Sequence, residues 1–291
     1  MCVFYLLAVL SSLSYALQSA LFVRYARKID GLSLAFYRNI SFVVTLSPLL
    51  IGADMADFSR ALSSWPMYLG AGLCGACALW CTYASYREIA TGVSSAVAAA
   101  GSTVFTSILG VLFFGELLSI PRWVAIACVL AGCVLLALKR QSFDHLTNHF
   151  WRGAALAFGG GLPHAVTKAM YADLSRAGNP LVSGYFWEVS IGVCCLLLIL
   201  LLRCVGGRGV QRVSRRSFLI IAACALPTLA GTGFYGLAAT MGPLAILGAI
   251  GSLSLVVLSL FAWKWYGEKM KAEHWLSIAI ILSGVIGLKF A

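Results

Sequence analysis

The residues of this chain best suited to bind a charged ligand or carry a proton are ionisable side chains far inside apolar segments. Glu188 is the clearest case: it lies seven residues into an apolar run, within Tyr185-Phe186-Trp187-Glu188. Placing a charge in lipid costs about 2.5–3.5 kcal/mol on insertion scales, so we expect Glu188 to face a cavity or a partner. It either binds a substrate ammonium group or carries a coupling proton, or else it forms an interhelical ion pair that orders the bundle.

Arg38 and Asn39 lie at the matching depth of an earlier apolar segment. A guanidinium group can hold a carboxylate or phosphate through two parallel hydrogen bonds, which makes Arg38 a candidate substrate ligand with Asn39 beside it. Alternatively, the long Arg38 side chain reaches back to the membrane surface beside Arg27 and Lys28.

Lys168 and His164 are four residues apart and therefore share one face of a helix. Lys168 is central enough to need an anionic partner, and Glu188 is the expected one. Just before Lys168, the run Gly159-Gly160-Gly161-Leu162-Pro163 predicts either an interrupted helix that frees backbone groups for a ligand or close packing by small residues.

Aromatic residues supply the apolar part of the predicted site. Trp80, Tyr83 and Tyr235 can form a π-rich wall for a cationic or ring-bearing substrate, and Trp187 is adjacent to Glu188. The resulting hypothesis is that a small zwitterionic or cationic solute binds midway through the membrane. Its ammonium group would lie near Glu188 and its apolar part against Trp80, Tyr83 and Trp187.

Long apolar helices must position these residues. The chain is 61% hydrophobic and 11% charged, with a mean hydropathy of +0.92, whereas soluble domains are about 45–50% apolar and about 25% charged. The predicted fold class is therefore an all-α membrane protein, surrounded by the lipid bilayer. Windows of about 20 residues predict ten transmembrane helices, at residues 3–23, 33–52, 65–86, 92–114, 121–138, 153–173, 181–203, 217–238, 244–263 and 274–290.

Basic residues are unevenly divided between the two sides of the predicted bundle. Fifteen of the 21 Lys and Arg residues lie in loops after odd-numbered spans, and four lie on the opposite side. The positive-inside rule then places the odd loops in the cytoplasm and both termini outside the plasma (inner) membrane. Because the basic residues occupy short gaps between apolar segments, nucleic-acid binding is not expected.

The two halves of the chain are related by an internal repeat. Gly115, Glu116 and Trp123 recur 152 residues later, and Ala16, Arg27 and Ser41 recur after 149 residues, a shift that pairs Asn39 with Glu188. The predicted units are a five-helix repeat at 1–140, a loop at 141–152 and a second five-helix repeat at 153–291. Since five is odd, the second repeat must enter the membrane with the opposite orientation, which is a recurrent plan of secondary transporters.

Two stretches end a span with Gly-Glu: Phe113-Phe114-Gly115-Glu116 and Trp265-Tyr266-Gly267-Glu268. Together with Phe36-Tyr37-Arg38-Asn39, they resemble the EamA-type members of the drug/metabolite transporter superfamily, over nearly the whole chain. The resemblance implies ten helices as two inverted repeats around a central cavity, and export or exchange of small metabolites, often amino acids. It also implies that Glu116 and Glu268 fix loop geometry.

The function that these patterns favour is secondary transport of an amino acid, an amino-acid derivative or a similar zwitterion or cation. Alternating access would be driven by an ion gradient, with a proton as a candidate coupling ion, or by exchange. The alternative is an integral membrane enzyme acting on a lipid or small molecule, but the sequence has no matching catalytic motif. We expect no cofactor or metal, no nucleotide-binding loop, and a monomer or weak dimer.

Overall fold

A computed structural model describes residues 2–26, 28–89, 91–139, 148–206, 209–266 and 272–290. All the regular secondary structure among the described residues is helical, so the predicted all-α class is confirmed. The helices are α1 (Cys2–Ala26), α2 (Gly31–Thr45), α3 (Met55–Ser63), α4 (Trp65–Glu88), α5 (Thr91–Phe114), α6 (Ile120–Lys139), α7 (Asn148–Ala177), α8 (Pro180–Cys204), α9 (Arg215–Ala225), α10 (Pro227–Ala239), α11 (Leu244–Gly251), α12 (Leu253–Tyr266) and α13 (Ala272–Phe290).

The helix ends follow local signals in the sequence. Asp30 accepts a hydrogen bond from the Ser33 N–H and caps α2, and Asn179 caps α8 by accepting from the N–H groups of Leu181 and Val182. Pro227 separates α9 from α10, because a proline has no N–H to continue the hydrogen bonds of α9. The residues predicted as a loop before span three contain the short helix α3, which carries an Asp54–Asp57 capping box.

Six helical stretches among the described residues are long and apolar enough to cross a membrane. They run over Cys2–Phe22, Trp65–Glu88, Val93–Phe114, Pro180–Cys204, Arg215–Ala239 and Leu244–Phe261. Ile120–Leu136 and Ala272–Leu288 are shorter apolar helices. The 30-residue helix α7 is not in either group, because it carries Lys168, His164 and other polar residues along its length.

The interruption predicted in α7 is wrong. The helix is continuous from Asn148 to Ala177 with Pro163 inside it. The glycines before Pro163 instead permit close packing, which was the alternative interpretation. A methyl group added at Gly160 would lie 2.7 Å from Cys81 Cβ, and one added at Gly161 would lie 2.7 Å from the carbonyl carbon of Gly101.

Two hydrogen bonds show which helix ends lie at the same end of the bundle. At one end of the bundle the two termini meet, because the Tyr5 O–H donates to the Leu288 carbonyl at 2.6 Å. At the other end, the connections after α1 and α4 meet, because Arg87 Nη2 donates to the Ile29 carbonyl at 2.8 Å. The connections after the first and third predicted spans therefore share one end, and the described ends of the chain lie at the opposite end.

The packing of α6 against α13 joins positions that the repeat equates. Gly132 and Gly284 are 152 residues apart, as are Val129 and Ile281. A methyl group added at Gly132 would lie 2.6 Å from Ile281 Cγ1, and one added at Gly284 would lie 2.8 Å from Val129 Cγ2. The two glycines thus face each other's partner in a reciprocal contact, the kind that a twofold relation produces.

The first Gly-Glu motif ties the α5–α6 connection to the start of α11. Gly115 has a φ of +60°, a left-handed conformation that favours glycine. Glu116 follows it, and its carboxylate accepts hydrogen bonds from the N–H groups of Leu244 and Ala245. Arg176 Nη2 lies 3.8 Å from the same carboxylate. Glu116 therefore fixes loop geometry, as the motif predicts, whereas Glu268 lies outside the described residues.

Candidate binding cavity

A cavity of about 210 Å³ lies inside the bundle, between helices from both sequence halves. Its lining comes from α1, α2, α4, α7, α8, α10, α11 and α12. Seven of the nine predicted site residues line it: Arg38, Tyr83, His164, Lys168, Trp187, Glu188 and Tyr235. The structure therefore gathers most of the predicted site around one space.

The Glu188 carboxylate is almost completely enclosed by protein donors. Its side chain is 2% exposed. Thr232 Oγ1 donates to Oε1 at 3.2 Å, and Asn39 Nδ2 donates to Oε2 at 3.1 Å. Arg38 Nη2 lies 3.7 Å from Oε1. Both carboxylate oxygens thus have protein partners, which satisfies a buried charge that would otherwise be very costly.

Arg38 does not extend to the membrane surface, so that interpretation is wrong. Its side chain is 6% exposed, and its Nη1 donates to Asn39 Oδ1 at 3.3 Å. The guanidinium carbon lies 5.0 Å from the centroid of the Phe42 ring. Because α2 packs directly against α8, the Arg38 side chain reaches Glu188 inside the bundle and does not extend to the membrane surface.

The expected ion pair between Lys168 and Glu188 is also wrong, because Arg38 occupies that position. The Lys168 ammonium instead lies 5.5 Å from the centroid of the Tyr235 ring. Among the described residues, neither an ion pair nor a hydrogen bond engages the Lys168 ammonium. His164 lines the same cavity one helical turn earlier.

Asn39 and Trp80 do not line the cavity. Asn39 is fully buried behind Glu188 and also donates from Nδ2 to the Glu188 backbone carbonyl at 2.8 Å. It therefore positions the carboxylate from outside the cavity. Trp80 is 46% exposed and points away from the cavity, so the predicted aromatic wall does not include it. Tyr83, three residues later on α4, is 4% exposed and does line the cavity.

A stack of three rings includes two residues that line the cavity, Trp187 and Tyr235. The Tyr171 ring lies between Trp187, at a centroid distance of 4.4 Å, and Tyr235, at 5.5 Å. Trp187 Nε1 donates to Thr167 Oγ1 at 2.8 Å, which fixes the indole. The Tyr235 hydroxyl is buried and has no hydrogen-bond partner within the described part of the chain.

A second chamber of about 160 Å³ adjoins the first. The two share Lys168 and His164, which therefore stand at their junction. Hydroxyl groups dominate its polar lining, contributed by Ser19, Thr82, Tyr86, Ser95, Ser102, Thr103, Ser252 and Ser254. Thr103 and Ser252, which are 149 residues apart, form a hydrogen bond of 3.0 Å.

Sequence reasoning missed the contribution of α1 to the cavity. Ser11, Tyr15, Gln18 and Phe22 all line it. Their spacing of three or four residues places them on one helical face, and the polar members of the set are unusual in an otherwise apolar segment. That periodic polar stripe was the available signal. Tyr15 is also tied to the site, since its hydroxyl lies 2.9 Å from Thr232 Oγ1.

Comparisons with known proteins agree with this architecture. The profile of the EamA-like transporter family matches residues 3–138 and again residues 151–290. The chain is also similar to the multidrug transporter EmrE of Escherichia coli strain K12, with 27% identity over 97 residues. The aligned stretch covers 33% of this chain and 87% of EmrE. A solved crystal structure of another protein superposes with a TM-score of 0.71 over 99% of this chain and 95% of that chain, at 16% sequence identity, and so supports the fold alone.

The resemblance predicted from the two Gly-Glu motifs is therefore confirmed. The family match extends over nearly the whole chain and occurs once in each half. The apolar helices and the internal cavity are consistent with a membrane transporter of the drug/metabolite type. This chain belongs to the EamA-like transporter family, within the drug/metabolite transporter superfamily.

Proposed function

We propose that this protein is a secondary transporter that moves a small metabolite, an amino acid, an amino-acid derivative or a similar zwitterion, by alternating access. One observation carries the proposal: a polar and aromatic cavity inside an apolar bundle is lined by helices from both sequence halves. Substrate sites of inverted-repeat transporters lie at such interfaces. A lone cation is a less suitable substrate, since Arg38, Asn39 and Thr232 already engage Glu188.

We also propose that the chain consists of two inverted five-helix repeats, at 1–140 and 153–291, which together cross the membrane ten times. The separate family matches in the two halves support this division. Further support comes from repeat mates in direct contact, Asn39 with Glu188, since mates touch only near a twofold axis. Helix α7 begins at Asn148, inside the connection assigned to 141–152. We expect a monomer or weak dimer.

The driving force in this proposal is an ion gradient or exchange, and Glu188 is the candidate carrier of a coupling proton. A carboxylate whose partners are hydrogen-bond donors and a nearby guanidinium can release or retain a proton as those partners move. In Glu188→Gln, gradient-driven accumulation should then be lost while exchange of solute persists. Equal loss of accumulation and exchange would assign Glu188 to binding or to the scaffold instead.

The proposed function is tested by flux in liposomes that contain the purified protein. A thermal-shift screen against a metabolite panel first selects solutes that bind. We expect at least one of them to show saturable uptake and counterflow, in which unlabelled solute inside accelerates entry of labelled solute. If solutes bind but none crosses faster than in protein-free liposomes, the transport assignment is wrong.

We propose that both termini face outward from the plasma (inner) membrane, because fifteen of the 21 basic residues lie in the odd-numbered loops. The test uses a background in which the exposed Cys2 and Cys204 are replaced by Ser. A cysteine at the exposed Ser63 should then react with an impermeant maleimide added to intact cells, and one at the exposed Ser214 should not. The reverse pattern would invert the proposed orientation.

A further inference from the structure

The charged groups that line the two chambers do not balance. Arg38 and Glu188 form one pair, and the Glu188 oxygens are further engaged by Asn39 and Thr232. Lys168 is the remaining cation, and among the described lining residues no carboxylate is left to pair with it. With His164 neutral, the empty site carries one excess positive charge.

The position of Lys168 makes this excess charge available to a ligand. Its side chain lines both chambers, and its ammonium contacts only the face of the Tyr235 ring among the described polar and aromatic groups. A cation–π contact of this kind is weaker than an ion pair in a site from which water is excluded. An ion pair between Lys168 and an entering anionic group would therefore be more favourable than the contact with the Tyr235 ring, and would replace it or add to it.

The groups around Lys168 are hydrogen-bond donors suited to an anion. Ser19 and Ser254 line both chambers, and their hydroxyls form no hydrogen bond with another described residue. Gly251 leaves the space beside the ammonium open, because a methyl group added there would lie 4.0 Å from Lys168 Nζ.

We propose that the substrate carries an anionic group, a carboxylate or a phosphate, that binds Lys168 at the junction of the two chambers. This inference rests on the proposed transport function and narrows its substrate class. The rest of the solute then lies in the first chamber, against the Trp187 and Tyr235 rings. The site thus favours zwitterions and anions and disfavours solutes whose only charge is positive.

The test measures binding to the detergent-solubilised protein with matched pairs of probes. Amino acids are compared with their carboxamides, and sugar phosphates with the parent sugars, so that each pair differs in the anionic group. We expect that, in at least one kind of pair, the anionic probe raises the thermal midpoint of the parent protein and its uncharged counterpart does not. Lys168→Met should weaken that binding about ten- to a hundredfold, and Lys168→Arg should retain most of it.

Two controls separate binding from folding. Lys264→Met removes an exposed lysine outside both chambers and should bind like the parent. Lys168→Met should fold at least as stably as the parent when no ligand is present, because it removes a buried charge for which the described residues supply no acidic partner. Weaker binding by a protein of unchanged stability therefore reports on the site itself.

The proposal is overturned if carboxamides and sugars bind as tightly as their anionic counterparts, if Lys168→Met binds the anionic probes like the parent, or if no acid or phosphate binds. These results leave the transport assignment to the flux measurement. Conversely, anion-dependent binding without flux in liposomes would retain the Lys168 site and refute the transport function.

Discussion

Arg38→Met and Glu188→Gln should each lower the free energy of unfolding by about 3–5 kcal/mol, as expected when one member of a buried ion pair is removed. The reason is that Arg38 and Glu188, with side chains 6% and 2% exposed, would each be left as a charge without its counterion. The double variant Arg38→Met, Glu188→Gln should lose less than the sum of the single losses, because it leaves neither charge behind. Reversible denaturation in a constant detergent, with the thermal midpoint as a second measure, tests this.

Arg212→Met is the matched control for the Arg38 substitution, because Arg212 is exposed. Its unfolding free energy should stay within about 0.5 kcal/mol of the parent. If the Arg38 and Glu188 variants behave like this control, or if their losses simply add in the double variant, the two residues do not stabilise the fold as a pair.

Glu116→Ala should lower the free energy of unfolding by about 3 kcal/mol, at the upper end for hydrogen bonds to charged groups. The substitution leaves the N–H groups of Leu244 and Ala245 at the start of α11 without their acceptor. It also removes the carboxylate beside Arg176. Among the described residues, the guanidinium then keeps its two backbone acceptors and the Phe114 ring. Thermal and chemical denaturation measure the loss.

The free energy of unfolding of Glu116→Gln should lie between those of Glu116→Ala and the parent, since an amide oxygen can still accept one of the two backbone hydrogen bonds. Asp173→Ala, which removes an exposed carboxylate from α7, serves as the control and should leave stability nearly unchanged. A loss in Asp173→Ala equal to that in Glu116→Ala would indicate a general charge effect. The hydrogen bonds from Glu116 to the N-terminus of α11 would then not be the cause of the lost stability.

The candidate site was only partly predictable from the sequence. Glu188, Lys168 and Arg38 were identifiable because a charge within an apolar segment is costly enough to require a partner or a cavity. Which charges pair was not identifiable, and the expected partner of Glu188 was the wrong one. Pairing depends on which helices pack together and how each is rotated, and α2 packs against α8 so that Arg38 reaches Glu188 first.

The aromatic residues show the same division. Trp80 and Tyr83 are three residues apart on α4, yet Trp80 is 46% exposed and Tyr83 is 4% exposed. In a soluble protein the polar face of a helix indicates which side faces solvent, but lipid and protein interior are both apolar. The sequence of α4 therefore contains no hydrophobic contrast that separates the cavity face from the outer face.

By itself, the sequence determined the helical class, the apolar segments, the intramembrane charges and the Gly-Glu motifs that indicated the family. These features depend on composition, on spacing along one chain and on the high cost of charge in lipid. They can therefore be predicted without knowing how the helices pack. The tertiary structure alone decided that Arg38 pairs with Glu188, that Lys168 is left to face two chambers, and that α1 contributes a polar stripe. Those outcomes depend on distances between residues far apart in the chain, 150 positions in the case of Arg38 and Glu188, and helix packing fixes those distances.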